Sequence, residues 1–468
     1  MRNPATFAII SALTRNIFLL LALPAFALTP HEELAKEIYK ELVEINTVHP
    51  NGDNTAAAKA MARRLLDAGF DAADVQVVEP SPKKGNLVAR LRGTGELRPI
   101  LLVAHIDVVE ARKEDWSDGL DPFKLTEKDG YWYGRGVLDD KAMAAIFVAN
   151  LIRYRKEGLR PKRDIIVALT ADEETGTHNG IAWLLKNNRA LIDAEFALNE
   201  GGAGQYRDGK PLMHAIQVSE KMYLSFDFEA THPGGHSSIP LRDNAIYDLA
   251  AALERLSKFD LPPRIGYVAR AYLGKLANIE TGQMATDIAT LAKGSGDKEA
   301  LERVSAVPNY NAQLRTTCVA TRIEGGHADN ALPQRAKATV NCRLLPGEDP
   351  AFVLAELQKV AGARVKVSAR GETRQSEATD AESPVMKAIE RLTESMWPGT
   401  PVVPVMSTGA TDGSRLRNAE IPTYGVSGIF VEFGEVRIHG RDERIGIKAF
   451  FDANTFLYRL VRDLSSGS

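Results

Sequence analysis

The chain has 468 residues, 44% of them hydrophobic and 25% charged, with a formal net charge of −3. That length suits two domains and that composition a soluble globular protein. The near-neutral balance, with no dense Lys/Arg run, argues against a nucleic-acid partner, which wants a basic patch or stripe.

The first residues read as a secretory leader. Arg2 and Arg15 precede an apolar run over 17–23, and after Pro24 comes Ala25-Phe26-Ala27, a small-x-small cleavage pattern. The apolar run is shorter than the about 20 residues a spanning helix needs, so cleavage after Ala27 is expected. No cysteine stands near that site and no later segment is long and apolar enough to span. The mature chain is therefore expected to be periplasmic or secreted, with no stable membrane anchor.

Beyond the leader, Leu34, Ile38, Leu42 and Ile45 recur at helical spacing. Asn54 is expected to cap a second helix that stops at Gly69. Strands follow over 74–78, 86–91 and 100–104, then a long turn-rich loop over 109–136 and a helix over 141–154. Strand 165–169, a helix beginning at Ile181 and strand 196–198 complete the run. Alternating strands and helices predict an α/β architecture.

The pattern changes around Gln217. Residues 222–230 alternate as a half-exposed antiparallel strand does, and the turn Pro233-Gly234-Gly235-His236 follows. A helix is expected over 244–256, an irregular and partly helical stretch over 261–314, strands over 316–323 and 336–344, a helix over 352–360 and a strand over 363–368. From about Glu382 the first pattern returns. A smaller α+β domain over 217–373 is therefore expected between two parts of a larger α/β domain, 28–216 and 374–468. The two cysteines, Cys318 and Cys342, lie symmetrically about Asn330. They face each other if their strands pair as a hairpin, and export permits a disulfide; two small buried residues is an equal reading.

Acids and histidines cluster where buried strands end: His105-Ile106-Asp107, Asp172-Glu173-Glu174 and Asn199-Glu200-Gly201, with Asp139-Asp140 before a helix and His439-Gly440 far downstream. Ligands of open α/β sheets gather at the carboxyl ends of strands. Carboxylates and imidazoles converging there repel or go unpaired unless cations hold them. Singly each cluster is weak, and the Asp pair alone reads equally as a helix cap. Together they point to a metal centre, with more than one metal.

Three segments resemble the M20 metallopeptidases: 101–109 around His105 and Asp107; Trp116, Asp121-Pro122-Phe123 and 133–141 around Asp139; and 171–176 around Glu173 and Glu174. The resemblance covers nearly all the mature chain. It implies a zinc-peptidase-like catalytic domain with a mixed, mostly parallel sheet and an inserted α+β, ferredoxin-like lid and dimerisation domain. It implies two zinc ions, or cobalt or manganese in their place. Asp139 would bridge them, with His105 and Glu200 completing one site and Glu174 and His439 the other. Asp107 would orient His105, and Glu173 would act as general base.

The turn His232-Pro233-Gly234-Gly235-His236 is similar to the family's histidine turn, in which His236 would reach the partner subunit's active site in a homodimer. His232 would shape the turn. Asn330 and Arg343 resemble polar substrate contacts; Arg343 reads equally as a sheet-surface ion pair. Residues 407–415 resemble the family's Gly-x-Thr-Asp loop, with Thr411 and Arg415 as further substrate contacts. Where aminoacylase-like members carry arginine two residues after the Asp, this chain has Ser414, and Arg415 comes one place later. The insertion over 261–314 and Gly-Gly-His-Ser-Ser look more like carboxypeptidase S-type members. The expected function is hydrolysis of short peptides or N-acyl amino acids, by carboxypeptidase or dipeptidase activity. The alternative is a non-catalytic periplasmic metal- or peptide-binding protein on the same fold.

Overall fold

A computed structural model describes residues 27–174, 178–371, 373, 376–435 and 437–467. The leader up to Phe26 lies outside them, as do Thr175 and Gly176 of the third motif. Among the described residues, no helix is long and apolar enough to cross a membrane.

The centre of the molecule is one large mixed sheet. Its path runs Val75–Val78, Asn86–Leu91, Ile165–Thr170, Ile100–His105, Phe196–Asn199, Thr423–Gly425, Lys210–Glu220, Gly204–Arg207 and Phe430–Glu432, with Val402–Ser407 parallel to Lys210–Glu220. The neighbours Ile165–Thr170, Ile100–His105, Phe196–Asn199 and Thr423–Gly425 run parallel. All six residues of Ile100–His105 and of Ile165–Thr170 are buried. Such apolar runs fit strands covered on both faces, as parallel sheets require. Helix Lys141–Lys156, buried almost throughout, packs against Ile100–His105 and the outer helices Pro30–Glu44 and Ile447–Ser466. The parallel strands all deliver their carboxyl ends to one edge.

A second sheet is wholly antiparallel, in the order Thr317–Gly325, Arg335–Leu344, Met222–Thr231, Val365–Arg370. Helices Ala245–Leu256 and Pro350–Ala361 close its core through Leu249, Leu357 and Val353 against Phe226, Phe228 and Val340. The chain order strand–helix–strand–strand–helix–strand with this pairing is the ferredoxin-like arrangement.

Several local expectations change. Asp53, not Asn54, caps the second helix: its carboxylate accepts from Ala56 N, and Asn54 is the first helical residue. The loop over 109–136 contains a hairpin, Thr126–Lys128 with Tyr131–Tyr133, which takes Arg444–Gly446 as a third strand. Strand Lys210–Glu220 stays in the large sheet to its end, so the sheets change over at Lys221 rather than before Gln217. The stretch over 261–314 is not irregular. It forms helices Tyr267–Leu276, Gly282–Ala292, Lys298–Ser305 and Pro308–Leu314 around a core of Leu273, Ile288, Val304 and Leu314. Its apolar residues sit in helices of about three turns or fewer, too short for a periodic pattern to stand out.

Cys318 and Cys342 are directly paired residues of neighbouring strands and are disulfide-bonded, with Cα atoms 4.1 Å apart. The bond ties the edge strand of the small sheet to its neighbour across a separation of 24 residues. Replacing both cysteines by serine is expected to lower stability by about 3 kcal/mol, read as a lower urea midpoint, with the same loss in wild type under reductant.

Candidate metal centre

The carboxyl edge of the parallel strands carries the acids and histidines. His105 is the last residue of its strand; Asp172 to Glu174 follow Ile165–Thr170, and Glu200 follows Phe196–Asn199. Asp139 arrives from the loop before helix Lys141–Lys156, and His439 from the loop before Arg444–Gly446. These five side chains form two donor sets, His105–Asp139–Glu200 and Asp139–Glu174–His439, each with its ligand atoms within 4.8 Å of one another. Asp139 belongs to both. Its Oδ1 lies 2.9 Å from His105 Nε2 and its Oδ2 3.1 Å from His439 Nε2. His439 Nε2 is also 2.9 Å from Glu174 Oε1, and His105 Nε2 is 3.8 Å from Glu200 Oε2.

Charge accumulation matches that geometry. Burial raises Glu200 well above the usual carboxylate range, and Asp139, Glu173 and Asp140 raise it further. Glu173 is likewise pushed well up, by burial and then by Asp412 and Glu174, against the pull of His105. Burial would raise Asp139 too, but His105 and His439 hold it below the usual range. Hydrogen bonding to Asp139 and Glu174 carries His439 up to about 10. Acids this crowded stay ionised together when cations share their oxygens. The donor sets, imidazole with carboxylate in each, fit borderline divalent metals such as zinc.

Asp107 does more than orient His105. His105 Nδ1 lies 2.9 Å from the Asp107 carbonyl oxygen, while the Asp107 carboxylate accepts from Glu173 N and Glu174 N at 3.1 Å each. One residue thus aims a histidine and clamps the turn that carries both glutamates. The helix-cap alternative fails for the Asp pair: Asp140 occupies the cap position but its side chain makes no capping hydrogen bond.

Sequence reasoning missed the supports of this centre. Buried Glu443 accepts from Arg135 Nη1 at 2.6 Å and from the backbone of Gly136, Leu138 and Asp139 at 3.0, 2.8 and 3.2 Å. Arg135 Nη2 donates to the His439 and Gly440 carbonyls at 3.3 and 2.9 Å. The loops of Asp139 and His439 are therefore held by one buried ion pair. His439 itself has φ 61°, a left-handed conformation that such contacts must hold in place. Asp172, with φ 62°, pairs with Lys84 and accepts from His178 N at 2.9 Å. No motif surrounds Glu443, and its partners lie some three hundred residues away in the chain; only folding brings them together. Glu443→Gln is expected to weaken metal binding by about 10- to 100-fold, measured by competition with a chelating dye.

The remaining candidates are scattered. Thr411 caps helix Asp412–Asn418 and donates to Glu220 Oε2 at 2.9 Å; Asn199 Nδ2, beside Glu200, lies 3.4 Å from its Oγ1. It borders the centre. Buried Asp412, the acid of the Gly-x-Thr-Asp loop, accepts from Asn179 Nδ2 at 2.6 Å. Arg415 lies 3.6 Å from Asp412 and is partly exposed. His236 is exposed, with Nδ1 2.7 Å from Ser238 Oγ. It lies on a two-residue ladder with Ala331–Leu332, and Ser237 N donates to the Asn330 carbonyl at 3.0 Å. His236 and Asn330 thus lie on two paired segments of the small domain. Gly234 N donates to His232 Nδ1 at 3.1 Å, which is how His232 shapes that turn. Arg343 lies over the Tyr223 ring at 4.9 Å, stacked on the small sheet. Among the described residues, no hydrogen bond or ion pair joins His236, Asn330 or Arg343 to the two donor sets.

The sequence profile of Peptidase family M20/M25/M40 matches residues 101–463. The chain belongs to the M20 peptidase family. This M20 chain is 31% identical over 382 residues to the human N-fatty-acyl-amino acid synthase/hydrolase PM20D1, covering 78% of this chain and 74% of that one. It is 28% identical over 395 residues to a probable carboxypeptidase S-like 2 of Dictyostelium discoideum, covering 81% and 74%. The M20 metallo-carboxypeptidase Sso-CP2 of Sulfolobus solfataricus has the same fold, with TM-score 0.67 at 19% identity over 92% of this chain and 98% of that one. Family members with these names are hydrolases of C–N bonds, and the M20 chain is an enzyme of that kind.

Proposed function

We propose that the protein is an exported two-zinc amidohydrolase that cleaves short peptides or N-acyl amino acids. The observation that carries this is the sharing of Asp139 between two complete donor sets, one oxygen directed to each histidine. His105, Asp139 and Glu200 would hold one cation, and Asp139, Glu174 and His439 the other. When bound, such a pair polarises the scissile carbonyl and lowers the pKa of water. Glu173, belonging to neither donor set and fixed through its backbone by Asp107, takes a proton from the attacking water. As the C–N bond breaks, Glu173 gives that proton to the leaving nitrogen. His236, from the small domain of a second copy, donates to the carbonyl oxygen as negative charge builds there. Asn330, paired against the turn of His236, and Thr411, beside Asn199, contact the substrate, with Arg343 or Arg415 pairing with its carboxylate.

A homodimer has a surface to form on. Strand Thr317–Gly325 is an edge of the small sheet, and its Val319 and Ile323 are 61% and 68% exposed. Unpaired edges of this kind invite a second strand. Closure of the small domain over the centre would hinge at Lys221 and near residue 373.

A panel of dipeptides and N-acyl amino acids, including long-chain acyl forms, tests the substrate class. Turnover of some members is expected, abolished by a chelator and restored by zinc. No turnover of any panel member by metal-loaded protein would count against the reading. Mixing Glu173→Gln with His236→Ala subunits tests the dimer: two inactive variants are expected to regain partial activity only if His236 acts across subunits.

A further inference from the structure

Most of the donor residues at the centre are held by a clamp. The Asp107 carboxylate fastens the turn of Glu173 and Glu174, and Glu443 with Arg135 fastens the loops of Asp139 and His439. His105 is fixed as the end of a buried strand. Glu200 remains. Among the described residues, no hydrogen bond anchors its carboxylate, and its ion pair with His105 Nε2 is 3.8 Å long. The place of that carboxylate therefore depends on the turn that bears it.

Both neighbours of Glu200 lead to one buried atom. On one side, Asn199 Nδ2 reaches Thr411 Oγ1 at 3.4 Å, and that hydroxyl donates to Glu220 Oε2 at 2.9 Å. On the other, Gln217 packs so closely on Gly201 that a Cβ there would fall 2.1 Å from Gln217 Oε1. Gln217 Nε2 donates to the same Glu220 Oε2, also at 2.9 Å. Arg417 Nη2 lies 3.2 Å from that oxygen as an ion pair, and Arg417 Nε donates to Ser376 Oγ at 2.9 Å. Asn199, Gln217 and Glu220 are buried, and the Arg417 side chain is only 4% exposed. Two hydrogen bonds and a guanidinium thus converge on one carboxylate oxygen away from water. Hydrogen bonds to an ionised acceptor are about twice as strong as neutral ones, and low surrounding polarity strengthens them further.

We propose that Glu220 is the positioning residue for Glu200. Through Thr411 and Gln217 it holds both shoulders of the Glu200 turn, and so sets the affinity of the His105–Asp139–Glu200 set for its cation. The Asp139–Glu174–His439 set does not depend on it. The proposal rests on the two-zinc reading of the centre. Glu220 itself belongs to neither donor set; it acts as an outer partner, and such partners change metal affinity by about 10- to 100-fold.

The test is zinc titration of the intact, metal-stripped protein against a chelating dye, with no substrate present. Wild type is expected to bind two zinc ions per chain, one for each donor set. Glu220→Ala should weaken one of them by about 10- to 100-fold and leave the other within about twofold. Two backgrounds show which. In Glu174→Ala, which keeps the His105–Asp139–Glu200 set, adding Glu220→Ala should weaken the remaining ion by that same factor. In Glu200→Ala, adding it should change nothing, because the residue it positions is gone. A merely structural role weakens the remaining ion in both backgrounds. Thr411→Val, nearly the same shape, removes the hydroxyl between Glu220 and Asn199. It should weaken the same ion by about tenfold, and in the same two backgrounds it decides the matter if Glu220→Ala does not fold. Equal loss in the two backgrounds, or no loss in Glu174→Ala, overturns the proposal; two ions in wild type then leave the two-zinc reading standing. Wild type that binds fewer than two overturns both.

Discussion

Glu173→Gln is expected to lower kcat by about 10³-fold, or about 4 kcal/mol in the barrier, while the protein keeps its full metal content. The glutamine is nearly the same size, and the hydrogen bond from residue 173 to Asp107 is made by the backbone, so the turn should not move. What disappears is the carboxylate proposed to take and return a proton. Glu173 lies beside Glu174, yet only Glu174 belongs to a donor set. That difference is what would separate proton transfer from metal holding. The pair Glu173→Gln and Glu174→Gln should therefore split cleanly: the first loses turnover with metal retained, the second loses one metal. Wild-type turnover in Glu173→Gln, or metal loss equal to that of Glu174→Gln, would remove Glu173 from the mechanism.

Asp139→Ala should release both cations, whereas Glu200→Ala or Glu174→Ala should release one. The reason is the position of Asp139 between His105 and His439, one oxygen toward each. Its loss leaves two histidines each with a single carboxylate partner. Turnover is expected to fall by about 10³-fold or more, several kcal/mol of stabilisation. Metal analysis after gel filtration reads the stoichiometry, and circular dichroism checks that the fold persists. Retention of one tightly held metal in Asp139→Ala would show that the two sets are independent.

Much of this centre is legible along the chain because three of its five candidate ligands stand at strand ends. Buried parallel strands read as unbroken apolar runs, and the first polar residues after them land at one edge. His105, Glu174 and Glu200 are all placed by that rule. The inserted sheet is legible as well, since the alternation over 222–230 marks a strand with one covered face. Elsewhere local signals mislead. Asn54 is as good a cap residue as Asp53, and only the observed backbone shows which side chain reaches Ala56. Strand Lys210–Glu220 is buried over most of its length, so nothing in its composition marks where one sheet hands over to the other. The four short helices over 267–314 each bury only a few residues, below what periodicity resolves.

What the sequence by itself determined is the inventory: an α/β architecture with an antiparallel insert, one histidine and several carboxylates at predictable strand ends, a second histidine far downstream, and a further acid beside one of the candidate ligands. Strand period and apolar run length are local properties, and they suffice for that. Only the tertiary structure decided which oxygens meet which histidines, that Cys318 and Cys342 bond, and that Glu443 and Arg135 lock the Asp139 and His439 loops together. Those facts depend on pairs that are separate along the chain, from 24 residues for the cysteines to 308 for Arg135 and Glu443. Their proximity is set by sheet order and core packing, which no short stretch of sequence contains.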